Sequence, residues 1–77
     1  MSSRLPKVTG KQIEKALLRA DWYLHHSKGS HSYYRHPDRP GKQVTLPMHA
    51  KETILESVLE GILEQAGLAF EEFIELL

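Results

Sequence analysis

The chain has 77 residues, no cysteine, and ten Lys/Arg balanced by ten Asp/Glu. That length allows one domain, residues 1–77, with a small core, and the absence of cysteine rules out a disulfide framework or a cysteine-based zinc site. No run approaches the ~18 apolar residues of a membrane span, and "MSSRLPKVTG" lacks the apolar segment of a signal peptide, so a soluble, cytoplasmic domain is expected.

The first predicted element is a helix in "TGKQIEKALLRA". Thr9 stands as N-cap with Gln12 three residues on, the spacing of a capping box. Ile13, Ala16, Leu17 and Ala20 form one apolar face, and Lys11, Lys15 and Arg19 line another. Asp21 breaks the pattern. "WYLHHSK" then reads as a strand, rich in aromatics and without helical period. Gly29 turns the chain. "HSYYRH" is a second strand ended by Pro37, and "PDRPG" is a loop. "KQVTLP" is a third strand, stopped by Pro47.

"KETILESVLEGILEQAG" reads as the next helix, with Leu55, Val58, Leu59, Ile62, Leu63 and Ala66 in one stripe. Gly61 inside it suggests close packing against a neighbour, and Gly67 is placed to end it. "AFEEFIELL" is a short last helix carrying Phe70, Phe73, Ile74 and Leu77. The order α-β-β-β-α with a helical tail predicts an α+β fold. Its three-stranded antiparallel meander has helices on one face and leaves the other face open.

The balanced charge is unevenly distributed. Residues 1–51 hold all ten Lys/Arg and all five histidines against only Glu14, Asp21 and Asp38. Residues 52–77 hold Glu52, Glu56, Glu60, Glu64, Glu71, Glu72 and Glu75 and no base. A basic front and an acidic tail suit different partners.

Strand alternation puts His31, Tyr33 and Arg35 on one face of the second strand and Ser32, Tyr34 and His36 on the other. A three-residue turn at Lys28–Ser30 pairs Ser27 with His31 and Leu24 with Tyr34. This sends Leu24 and Tyr34 to the core and leaves Tyr23, His25, His31, Tyr33 and Arg35 on the open face. Trp22 is expected in the core. Basic groups attract phosphate, tyrosines stack on unpaired bases, and a histidine moves protons near neutral pH. These are the groups needed for metal-free RNA cleavage, in which the ribose 2′-OH attacks the adjacent phosphate. The same face also suits a non-catalytic RNA-binding module, and the acidic helical half suits an interaction protein docking on a basic partner. A zinc site is not expected, because His25 and His26, adjacent on a strand, should point to opposite faces.

Four pieces, "TGKQIEKALLRADW", "SKGSHSYYRHP", "VTLPMH" and "ILEQAGLAFEEFIELL", in this order from Thr9 to Leu77, resemble the HicA toxin family, small mRNA interferases of toxin–antitoxin systems. The resemblance implies a double-stranded-RNA-binding-domain-like fold, ribonuclease activity on mRNA without a metal or other cofactor, and a HicB-like antitoxin that covers the active surface. It implies that His31, in Gly29-Ser30-His31, is the catalytic histidine. Lys28 matches the family's basic residue before the glycine, and His49 its histidine after the third strand. Gly29, Ser30, Tyr33 and Arg35 complete the expected RNA-binding set. Three departures stand out: Ser32 where the family often has a second histidine, Ser57 in place of a glycine, and Glu60 and Glu64 in place of basic residues.

Overall fold

A computed structural model describes residues 7–47 and 52–77. Its elements are α1 (Gly10–Arg19), β1 (Tyr23–Lys28), β2 (His31–Arg35), β3 (Val44–Pro47), α2 (Glu56–Ala66) and α3 (Phe70–Leu76). The three strands form one antiparallel sheet in the order β1-β2-β3. This is the expected α+β arrangement. Ser32 and Tyr34 of β2 and Val44 and Leu46 of β3 turn inward, and the last three join Ile13, Ala16 and Leu17 of α1, Leu59, Ile62, Leu63 and Ala66 of α2, and Phe73 of α3 in one buried cluster.

The α1 boundaries follow from local chemistry. Thr9 N–H donates to Gln12 Oε1 at 2.9 Å, and Gln12 N–H donates to Thr9 Oγ1 at 3.3 Å, closing the expected capping box. At the far end Asp21 takes a left-handed φ of 72°. Its N–H bonds to the Leu18 carbonyl and the Trp22 N–H to the Leu17 carbonyl, the paired bonds of a Schellman ending. An aspartate here does the work usually given to glycine, because its short polar side chain tolerates the left-handed region better than most. The turn delivers Trp22, 2% exposed, into the core as expected.

Helix α2 starts later than its apolar stripe suggests. Residues 52–55 are not helical. Thr53 bridges to Thr9, and the Ile54 N–H donates to the Val8 carbonyl at 2.8 Å. This short extended pairing buries Val8 and Ile54 together and leaves Leu55, 72% exposed, outside the core as N-cap. Gly61 does not mark a close approach: it is exposed, and a Cβ built on it meets nothing within 4 Å. Gly67, φ 68°, ends α2 as expected, and the Leu68 N–H returns to the Leu63 carbonyl. In α3 only Phe73 is fully buried. Ile74 and Leu77 are largely exposed, and Leu76 packs against the core instead.

The β1–β2 register corrects the expected one. Gly29 and Ser30 alone make the turn, so Lys28 pairs with His31, Ser27 with Ser32 and His26 with Tyr33. Gly29 has a positive φ of 60° and Ser30 does not, the type II′ pattern whose twist suits a two-residue hairpin. The register then shifts between His26 and Leu24, leaving His25 as the extra residue of a β-bulge. Beyond it Leu24 pairs with Tyr34, as expected, and Tyr23 with Arg35. Tyr34 is buried, but Leu24 remains 49% exposed. Strand β1 is an edge strand with every residue exposed. The bulge interrupts its free edge, which discourages pairing with other chains.

Candidate nucleic-acid interface

Cross-strand pairs share a face, so the register defines the open side of the sheet. Strand β2 contributes His31, Tyr33 and Arg35. Strand β1 contributes their partners Lys28, His26 and Tyr23. Thr45 and Pro47 of β3 lie opposite Tyr33 and His31 on the far side of β2. The expected face thus forms with two changes. His26 replaces His25 beside Tyr33, and Lys28 lies in the strand rather than in the turn. The Gly-Ser dipeptide carried the missed signal, since glycine followed by serine is a sequence for a two-residue II′ turn. Counting from that turn assigns Lys28 and His26 to the His31 face directly.

His31 and Lys28 are both exposed at the turn end of the hairpin. A directly opposed pair has Cβ atoms about 4.5–5.5 Å apart, so an ammonium and an imidazole rise side by side from the sheet. Gly29 and Ser30 are exposed at the tip. A Cβ built on Gly29 meets nothing within 4 Å, so the glycine is needed there for its backbone conformation.

One step along the face, His26 and Tyr33 stack with ring centroids 4.5 Å apart and planes 11° from parallel. The His25 ring meets His26 edge-on, and the two Nδ1 atoms are 2.8 Å apart, within hydrogen-bond reach. The two histidines therefore do not point to opposite faces. The bulge rotates His25 towards its neighbour. Among the described residues no group of three or more His, Asp or Glu side chains converges as a metal cage.

Arg35 Nη2 donates to Gln43 Oε1 at 3.1 Å, which holds the guanidinium against the sheet. Its Nε is buried without a hydrogen-bond partner among the described residues. His36 has a different role. Its Nδ1 accepts the Asp38 N–H, so Nε2 carries the proton it donates to the Ala20 carbonyl at 3.0 Å. The ring also packs edge-on against Trp22. His36 thereby ties the end of β2 to the end of α1.

The inner face is sealed by a polar contact. The Tyr34 hydroxyl donates to Glu14 Oε2, and burial, followed by this carboxylate, pushes the phenol well above the ordinary tyrosine range. Ser32, 8% exposed, also lies on this side, turned away from His31. Lys11, Lys15 and Arg19 are exposed along α1, and Arg19 Nη1 donates to the Leu76 carbonyl at the end of α3. Glu56, Glu60 and Glu64 are exposed along α2. His49 lies outside the described residues. Pro47, two positions before it, is the β3 partner of His31.

A family model described as the HicA toxin of bacterial toxin–antitoxin systems matches residues 10–68. No curated protein matches the chain.

Proposed function

The chain belongs to the HicA toxin family of toxin–antitoxin systems, and from that premise we propose that it is a metal-independent endoribonuclease acting on mRNA through the open face of its sheet. The observation that carries this reading is the pairing of Lys28 with His31 across the Gly29-Ser30 turn. Cleavage needs a group to take the proton from a ribose 2′-OH and a positive charge near the phosphate it attacks. His31 and Lys28 supply them from adjacent positions. The 2′-oxygen forms a bond to phosphorus as the bond to the 5′-oxygen breaks. The products are a 2′,3′-cyclic phosphate and a 5′-hydroxyl, with no water or metal consumed in that step.

The remaining roles follow from placement. Arg35 and Lys28 attract the phosphate backbone. Tyr33 offers a ring to an unpaired base beside the cut. Gly29 and Ser30, at the exposed tip, border the path of the strand. His49, after β3, is assigned to the RNA-binding set on the resemblance alone. Ser32 in place of a second histidine removes nothing from this face, because position 32 faces the core. Glu60 and Glu64 make α2 a poor surface for RNA and confine binding to the sheet and α1.

On this reading residues 1–77 act as one domain in the cytoplasm, where the mRNA is. The described residues include no helix long and apolar enough to cross a membrane. The partner is a HicB-like antitoxin that covers the sheet face and so blocks RNA.

The test is cleavage of a labelled mRNA by purified protein in EDTA, wild type beside His31→Ala. Cleavage by the wild type alone supports the reading. Binding without cleavage by both proteins replaces it with a non-catalytic RNA-binding module.

A further inference from the structure

Transesterification of RNA needs two proton transfers, one from the 2′-OH and one to the leaving 5′-oxygen. His31 can serve only one of them in a given step. Three observations single out the second group. His26 lies on the same face as His31, because it pairs with Tyr33, two residues along β2. Diagonal neighbours of this kind on an antiparallel sheet sit about 7–8 Å apart, enough to place one phosphate between two imidazoles. The His26 ring is also held, stacked on Tyr33 and with Nδ1 engaged by His25 Nδ1 at 2.8 Å. Its Nε2 has no hydrogen-bond partner among the described residues, which leaves that nitrogen for substrate.

We propose that His26 is the second proton-transfer residue of this site, working with His31 as an acid–base pair across the β1–β2 hairpin. One imidazole, neutral, takes the 2′-OH proton as the 2′-oxygen bonds to phosphorus. The other, protonated, gives its proton to the 5′-oxygen as the P–O5′ bond breaks. No oxidant, reductant or metal enters the balance. Afterwards the two histidines have exchanged protonation states, and solvent resets them. Among the described residues, the charged and titratable groups facing this pair are Lys28, His25 and Tyr23 on β1 and Tyr33 and Arg35 on β2. On the β3 side the described residues are Thr45 and Pro47, with Gln43 just before the strand, all uncharged. This inference rests on the ribonuclease reading above. It supplies from β1 the second histidine that the inward-facing Ser32 cannot.

The experiment uses the whole chain and two variants of an exposed residue. His26→Gln removes the imidazole, and His26→Phe keeps a ring to stack on Tyr33 but has no nitrogen. The rate is measured against pH on ordinary RNA and on RNA whose scissile 5′-oxygen is replaced by sulfur, a leaving group that needs no proton. The wild type is expected to show a bell-shaped profile. Both His26 variants should lose at least tenfold on ordinary RNA, lose one limb of the bell, and keep circular dichroism and melting temperature near wild type. Of His26→Phe and His31→Gln, one should recover on the sulfur substrate and the other should not, which assigns acid and base.

Wild-type rates for His26→Phe on ordinary RNA overturn the proposal and leave His26 as a stacking surface. So does an unchanged bell in slower variants, or equal losses on both substrates for both His26→Phe and His31→Gln. A wild type that does not cut RNA at any pH is a different failure: it removes the ribonuclease reading, and this inference with it.

Discussion

Lys28 and His31 are directly opposed across the Gly29-Ser30 turn, so the geometry of two side chains on the open face depends on one backbone angle. Gly29 holds a φ of 60° in otherwise open space. A methyl group there meets no neighbour but strains the backbone. Gly29→Ala is expected to cost roughly 1 kcal/mol and to slow RNA cleavage as the hairpin end splays. Gly29→Asn, which tolerates positive φ, should lose less of both. Thermal melts and single-turnover cleavage of the two variants check this. Equal behaviour of alanine and asparagine would remove the turn from the account.

The Tyr34–Glu14 contact gives stability an alkaline limit. Burial and the Glu14 carboxylate raise the phenol's folded-state pKa above its unfolded value near ~10. Between those two values the folded chain retains a proton that the unfolded chain has lost. This contribution is therefore complete below pH ~10 and falls as pH rises from there towards the raised folded value. Tyr34→Phe should remove this share of the alkaline slope in urea denaturation between pH 8 and 11. At neutral pH it should cost about 1–2 kcal/mol, through loss of a hydrogen bond to a charged group. For a chain this short that is a fall of about 5–15 °C in melting temperature.

Asp21 ends α1 in a left-handed conformation that glycine adopts at less steric cost. Its side chain is exposed. Asp21→Gly is expected to raise stability by roughly 0.5 kcal/mol, the relief of steric strain being partly offset by a more flexible unfolded chain. Asp21→Val, β-branched and without a local polar contact, should lower it by about 1–2 kcal/mol. Urea midpoints of the two variants should move in opposite directions.

Much of this architecture can be read along the chain, because most of its signals are local. The Thr9–Gln12 box, the α1 stripe, the three strand runs and the Gly67 stop involve residues within a turn or two of one another. The harder features depend on contacts distant in sequence. Leu55 continues the α2 stripe, yet it stays outside the helix because Thr53 and Ile54 just before it pair with Thr9 and Val8, some 45 positions earlier. Leu24 alternates correctly for the core but belongs to an edge strand with its inner side largely uncovered. His25 and His26 share a face only because a bulge adds a residue to β1, and no composition rule marks where a bulge falls. The open face was legible in outline from His31, Tyr33 and Arg35. The place of His26 within it required the register.

Arg39 and Gly67 give the last prediction. Arg39 Nη1 donates to the Ala66 carbonyl at 3.2 Å, at the end of a helix with no basic residue in its own last turn. The guanidinium therefore supplies from the β2–β3 loop the positive charge that a helix C-terminus favours. Gly67 makes this contact possible: a Cβ built on it falls 2.6 Å from Arg39 Nη1, too close for both to stay in place. Gly67→Ala combines that clash with a left-handed φ of 68° and is expected to cost about 1–3 kcal/mol. Arg39→Ala loses only a partly exposed, charge-assisted bond and should cost about 0.5–1 kcal/mol. In the double variant the clash is absent, so its cost should fall short of the sum of the singles. A double-mutant cycle by urea denaturation measures this, and strict additivity would show that Arg39 and Gly67 do not act on one another.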